Sequence, residues 1–124
     1  MTEKKKTAII GATPNPSRYA YLAAHMLTEY GHPIVPLSIK RGAVANVALV
    51  DLREKPPLNN INTVTLYLSP ARQAEWYDYL LSLQPQRLIF NPGTENPELQ
   101  QLCHDHDIKP INACTLVMLR SGTY

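Results

Sequence analysis

Apolar and polar positions along this chain follow two rhythms, and the switches between them outline its elements. The stretch Thr7 to Ile10 carries no charge and stops at Gly11, the pattern of a short strand covered on both faces. Tyr19, Leu22, Ala23, Met26, Leu27 and Tyr30 then recur at i, i+3, i+4, i+7, i+8 and i+11. That spacing predicts an amphipathic helix laying this face on a sheet and stopping at Gly31. Ile34 to Leu37 reads as a second strand, Val47 to Leu52 as a weaker edge strand, and Thr63 to Leu68 as a fourth, rich in β-branched and aromatic residues. Pro56-Pro57-Leu58-Asn59-Asn60 is turn chemistry. A helical period returns from Ala71 to Leu83, and Arg87 to Phe90 is again a strand. Pro97 to His106 is a helix opened by proline, Ile108 to Ala113 a last strand, and Cys114 to Leu119 a short terminal helix.

Strands alternating with helices of this length require crossovers, and crossovers in one sheet are right-handed. The predicted fold is therefore α/β: a single Rossmann-like, doubly wound, mostly parallel sheet with helices on both faces. Ligands of such sheets sit outside the carboxyl ends of the strands near the switch point. This selects Gly11 to Arg18, Ser38 to Arg41, Leu68 to Pro70 and Asn91 to Thr94 before any chemistry is considered.

Composition narrows the picture without changing it. A length of 124 residues suits one domain over 1–124, with residues 1–6 read as a basic tail ending in Lys4-Lys5-Lys6. Twelve Lys and Arg against ten Asp and Glu leave a formal charge of +2, too small and dispersed to suggest nucleic acid or an anionic membrane. No apolar run approaches the roughly 18 residues of a membrane span, and no signal-peptide hydrophobic region opens the chain, so a soluble, cytoplasmic protein is expected. Cys103 and Cys114 make no disulfide framework and suit a reducing compartment.

The first turn, IIGATPNPSRY, is where chemistry enters. A strand running through glycine into a helix presents unpaired N–H groups and the positive end of a helix dipole, a natural anion site. Gly11 is the only glycine of this turn, where the dinucleotide fingerprint has three, and Pro14 and Pro16 stiffen the approach. Ala12, Thr13, Asn15 and Ser17 are the candidate amide donors, and Arg18 adds a planar fork suited to phosphate oxygens. Gly11 and Ala12 are the small residues expected where backbone meets phosphate, with the Ala12 side chain facing the site. An ordinary capped helix start with a surface arginine is the competing reading.

The end of the second strand, Pro36-Leu37-Ser38-Ile39-Lys40-Arg41, argues against NAD, whose ribose is held there by an acid. A base suits an extra phosphate on the ribose, as in NADP or in coenzyme A (CoA). A solvated loop remains open as an alternative.

The segments GATPNPSRYAYLAAHMLTEYGHPIVPL, TLYLSP, RLIFNPGTENPEL and ACTLVML, in this order, resemble the stand-alone CoA-binding domain proteins, relatives of the N-terminal domain of the succinyl-CoA synthetase α subunit. The likeness covers nearly the whole chain. It implies that Gly11, Ala12, Thr13, Asn15 and Arg18 receive the phosphates of CoA or an acyl-CoA, and that Lys40 lies near the adenosine and its 3′-phosphate. It also implies that Leu68, Ser69 and Pro70, with Asn91, Pro92 and Gly93, flank the nucleotide or the start of the pantetheine arm. The family often has Asn-Pro before the lysine, where this chain has Ser38 and Ile39.

Nothing in the sequence arranges a catalytic group. The synthetase relatives use a phosphohistidine on a separate domain. His25, His32, His104 and His106 offer no substitute, since helical residues two apart point about 200° apart and cannot share a metal. Cys114, beyond the last strand, reads either as a small buried residue or as an activated thiol at a helix start. A non-catalytic CoA-binding module is expected, with a small-molecule nucleotide as partner and neither nucleic acid nor membrane. A small NADP-dependent oxidoreductase is the alternative.

Overall fold

The computed structural model describes residues 3–124. Strands β1 (Thr7–Ile10), β2 (Ile34–Ser38), β5 (Val50–Asp51), β6 (Thr63–Leu66), β7 (Arg87–Phe90) and β8 (Lys109–Asn112) form one six-stranded sheet in the order β5-β2-β1-β6-β7-β8. Every pairing in it is parallel, as Thr7 opposite both Ile34 and Thr63 shows for the central strands. The chain leaves β1 in one direction and returns from β6 in the other, so the switch point lies between β1 and β6.

Successive strand residues point to opposite faces, and the two cores follow from that alternation. Ala8, Ile10, Leu88 and Phe90 face helices α2 (Tyr77–Ser82) and α3 (Pro97–Asp105). Ile9 and Ile89 face α1 (Tyr19–Glu29) and α4 (Thr115–Ser121). The doubly wound architecture expected from the strand and helix order is present.

Three local expectations are corrected. The buried face of α1 is Ala20, Ala23, Ala24 and Leu27, while Tyr19, Leu22 and Tyr30 are 72%, 40% and 49% exposed. Small side chains let the helix lie close to the sheet, and the bulkier apolar residues are left on the outer side. The predicted strand Val47–Leu52 is divided: Val47–Ala48 (β4) pairs antiparallel with Ala43–Val44 (β3), and only Val50–Asp51 joins the main sheet. The hairpin turns at Ala45 and Asn46, both at positive φ (50° and 64°), a conformation that alanine does not announce. The predicted helix Ala71–Leu83 becomes two 3-10 turns, Pro70–Arg72 and Ala74–Trp76, leading into the short α2.

Candidate functional site

At the carboxyl ends of the strands a cavity of about 780 Å³ opens along the switch point. Its floor is the β1–α1 turn. Gly11 sits at φ +90°, and a Cβ there would stand 3.1 Å from the Tyr67 carbonyl oxygen, so glycine is required by the close approach of the chain after β6. Ala12 lines the cavity but is only 2% exposed and packs with Ala24 and Leu27, so its side chain belongs to the core and does not face the site alone.

The turn spends most of the expected amide donors on itself. Gly11 and Ala12 both donate to the Leu37 carbonyl, each at 3.0 Å. Asn15 N–H donates to Thr13 Oγ1 at 3.1 Å, and Ser17 N–H to Asn15 Oδ1 at 3.0 Å. Among the described residues, the N–H groups of Thr13, Tyr19 and Ala20 have no protein acceptor, and all three residues line the cavity. Helix α1 has no side-chain cap and no acid in its first turn. Its N-terminus therefore presents unneutralised N–H groups and dipole to the cavity.

Lys40 is exposed and lines the same cavity. Its loop is ordered by Ser38, whose Oγ accepts from the Lys40 N–H at 2.9 Å, so the serine that replaces the family's asparagine holds the turn by its own side chain. Arg41 does not line the cavity. Of the predicted residues, the cavity wall brings together Gly11, Ala12, Thr13, Arg18, Lys40, Leu68, Ser69, Pro92 and Gly93. Asn15, Pro70 and Asn91 are not in it. Asn15 orders the turn, and Pro70 opens a 3-10 turn. Asn91 is buried, donating to Thr65 Oγ1 at 2.7 Å and the Leu66 carbonyl at 3.0 Å while accepting from the Thr115 N–H at 2.9 Å.

Several wall residues escaped the sequence reading. Arg53 and Arg72 add two cations, Glu75 one acid, and Leu52 and Trp76 an apolar side. Arg53 is bound to Asp51 at 3.0 Å, and this partner holds the Asp51 carboxyl below the usual carboxylate range. Arg18, Lys40 and Arg72 carry no such ion pair among the described residues. Arg53 was findable, lying beyond the carboxyl end of an expected strand. Gln73 was not: fully buried, it donates to the carbonyls of Leu68 and Thr94, both at 2.8 Å, and ties the loops after β6 and β7 together. Tyr67 borders the cavity, while its hydroxyl is buried near the Thr65 and Thr115 hydroxyls. Burial pushes that phenol up to about 12.

The cysteines stand apart from the wall. Cys103 is fully buried and its thiol is pushed up to about 11 by burial, whereas Cys114, just before α4, is half-buried. Among the described residues no group of His, Cys, Asp and Glu is placed to hold a metal, and no helix is long and apolar enough to cross a membrane.

An all-parallel six-stranded sheet with helices on both faces and a cavity at its switch point defines a Rossmann-like α/β domain. The family model for the CoA binding domain matches residues 5–120, and the chain belongs to that family. The crystal structure of an uncharacterized protein is 47% identical, with a TM-score of 0.96 over 99% of this chain and 100% of that one. A protein from Thermus thermophilus is 18% identical with a TM-score of 0.81 over 98% of this chain and 91% of its own. A hypothetical protein from Pyrococcus horikoshii OT3 is 22% identical with a TM-score of 0.77, covering 94% and 83% respectively. The last two show the fold alone. No curated protein matches the chain.

Proposed function

We propose that the chain is a non-catalytic module that holds coenzyme A or an acyl-CoA. The observation that carries this reading is the uncapped N-terminus of α1, whose Tyr19 and Ala20 amides open, with Thr13, onto a cavity also bordered by Arg18 and Lys40. In this reading the pyrophosphate lies on those amides, with Arg18 supplying charge. Lys40 reads the 3′-phosphate, and the side of the cavity formed by Leu52, Leu68 and Trp76 takes the less polar part of the ligand. What supports a binding role is the family model, which describes a CoA binding domain over residues 5–120.

Calorimetric titration with CoA, dephospho-CoA and NADPH tests the assignment. CoA should bind, NADPH should not, and CoA should bind about 10-fold more tightly than dephospho-CoA, the low end for a charged hydrogen bond at an exposed site. Lys40→Ala should make the two CoA forms nearly equal. Binding of NADPH without CoA would replace this reading with the oxidoreductase, and a Lys40→Ala variant that still discriminates would move the 3′-phosphate elsewhere.

A further inference from the structure

The outer side of α1 is unusual for a helix on the surface of an α/β domain. Such a face normally carries charged and polar residues, yet from Tyr19 to Glu29 the only formally charged side chain is Glu29. At about 100° per residue, Arg18, Glu29, Leu22, Met26, Tyr19 and Tyr30 fall within an arc of about 120°. The buried Ala20, Ala23, Ala24 and Leu27 occupy the arc next to it, starting about 20° beyond Tyr30. Tyr19, Leu22 and Tyr30 are exposed and Met26 is half-buried, so the arc is an apolar stripe with a cation at its start and an anion at its end.

We propose that this stripe is a homodimer interface in which α1 packs antiparallel against α1 of a second copy across a two-fold axis. The order of residues is what selects a second copy. An isologous contact needs a surface complementary to itself after reversal. Reversed and laid on itself, the stripe sets Leu22 against Met26 of the second copy and Tyr19 beside Tyr30, while Arg18 meets Glu29. Each unlike pair occurs twice, once on each side of the axis. The helix dipoles are then antiparallel, with the positive N-terminal end of each helix beside the acid at the C-terminal end of the other. Parallel packing would instead bring Arg18 against Arg18 and Glu29 against Glu29.

Analytical ultracentrifugation of the native chain tests the proposal. It should sediment as a dimer at concentrations on the order of 100 µM. Leu22→Glu puts an acid at the centre of the stripe and should raise the dissociation constant by at least about 30-fold, the size of an interface hot spot. Because Leu22 does not line the cavity, that variant should keep the parent's affinity for CoA, which separates this test from the ligand assignment. In CoA-free protein, where Arg18 is not engaged by a ligand, Arg18→Glu and Glu29→Arg should each weaken association, and the double reversal should restore it. A native chain that stays monomeric over this range, or a folded Leu22→Glu variant that associates like the parent, overturns the interface. A double reversal no better than the single ones overturns the antiparallel arrangement.

Discussion

The two edges of the sheet treat polar groups in opposite ways. At the amino ends of the strands, Tyr124 is packed into the molecule: its hydroxyl shares a hydrogen bond with Thr7 Oγ1, and its ring meets His32 at 4.9 Å and the Arg87 guanidinium at 4.3 Å. Lys5 N–H donates to His32 Nδ1 at 2.9 Å, and Arg87 Nε to Thr63 Oγ1 at 2.8 Å. Only Arg87 Nη2 is left buried without a partner among the described residues at this edge. At the carboxyl ends, by contrast, amides of the β1–α1 turn and the cations Arg18, Lys40 and Arg72 have no protein partner among the described residues. Buried polar groups normally find one. One edge therefore closes the fold, and the other leaves amides and cations bordering a cavity.

The strongest way to break this contrast is at the closed edge. Tyr124→Ala removes a buried ring together with its hydrogen bond and should cost about 3–5 kcal/mol in a urea unfolding series. Its CoA affinity at low denaturant should match the parent's, since Tyr124 does not line the cavity. Arg18→Ala makes the reverse separation. Folding stability should stay within about 0.5 kcal/mol, while CoA binding weakens by about 10- to 100-fold and loses part of its salt dependence. A variant that lost stability instead would place Arg18 in the fold and not at the ligand.

A smaller effect comes from pH. Burial, with Lys5 and Arg87 nearby, lowers the His32 pKa from its ordinary 6.5. The unfolded chain then takes up a proton at a pH where the folded chain does not. Stability from this group is fully present above about 6.5 and is lost as the pH falls through the lower folded value. His32→Gln should flatten that slope in thermal unfolding between neutral and mildly acidic pH, whereas CoA affinity measured across the same window should follow the parent's.

The sequence made the β1-α1-β2 unit and the parallel order readable because buried strands leave uninterrupted apolar stretches and Gly31 ends the helix. At φ +85°, Gly31 N–H reaches the Thr28 carbonyl at 3.0 Å and the following His32 N–H reaches Leu27 at 2.9 Å. The face of α1 was misread for a physical reason: periodicity ranks side chains by size, while this sheet takes the alanines. The site was legible as loops, since ligands gather where strands end. Which atoms of those loops are free was not legible. That depends on hydrogen bonds such as those from Gly11 and Ala12 to Leu37, which bind residues far apart in sequence. Asn91 was placed in a loop that borders the cavity, but its own amide is consumed in joining β6, β7 and α4.

The self-satisfied β1–α1 turn has a kinetic meaning. Pro14 and Pro16 limit its backbone, while Thr13 and Asn15 side chains hold the N–H groups of Asn15 and Ser17. On the proposed reading, an incoming pyrophosphate would meet a turn already ordered by its own hydrogen bonds, with no loop closure to wait for. Capture then depends on diffusion and on the field of the nearby cations, and differences in affinity among related ligands fall on how long each one stays.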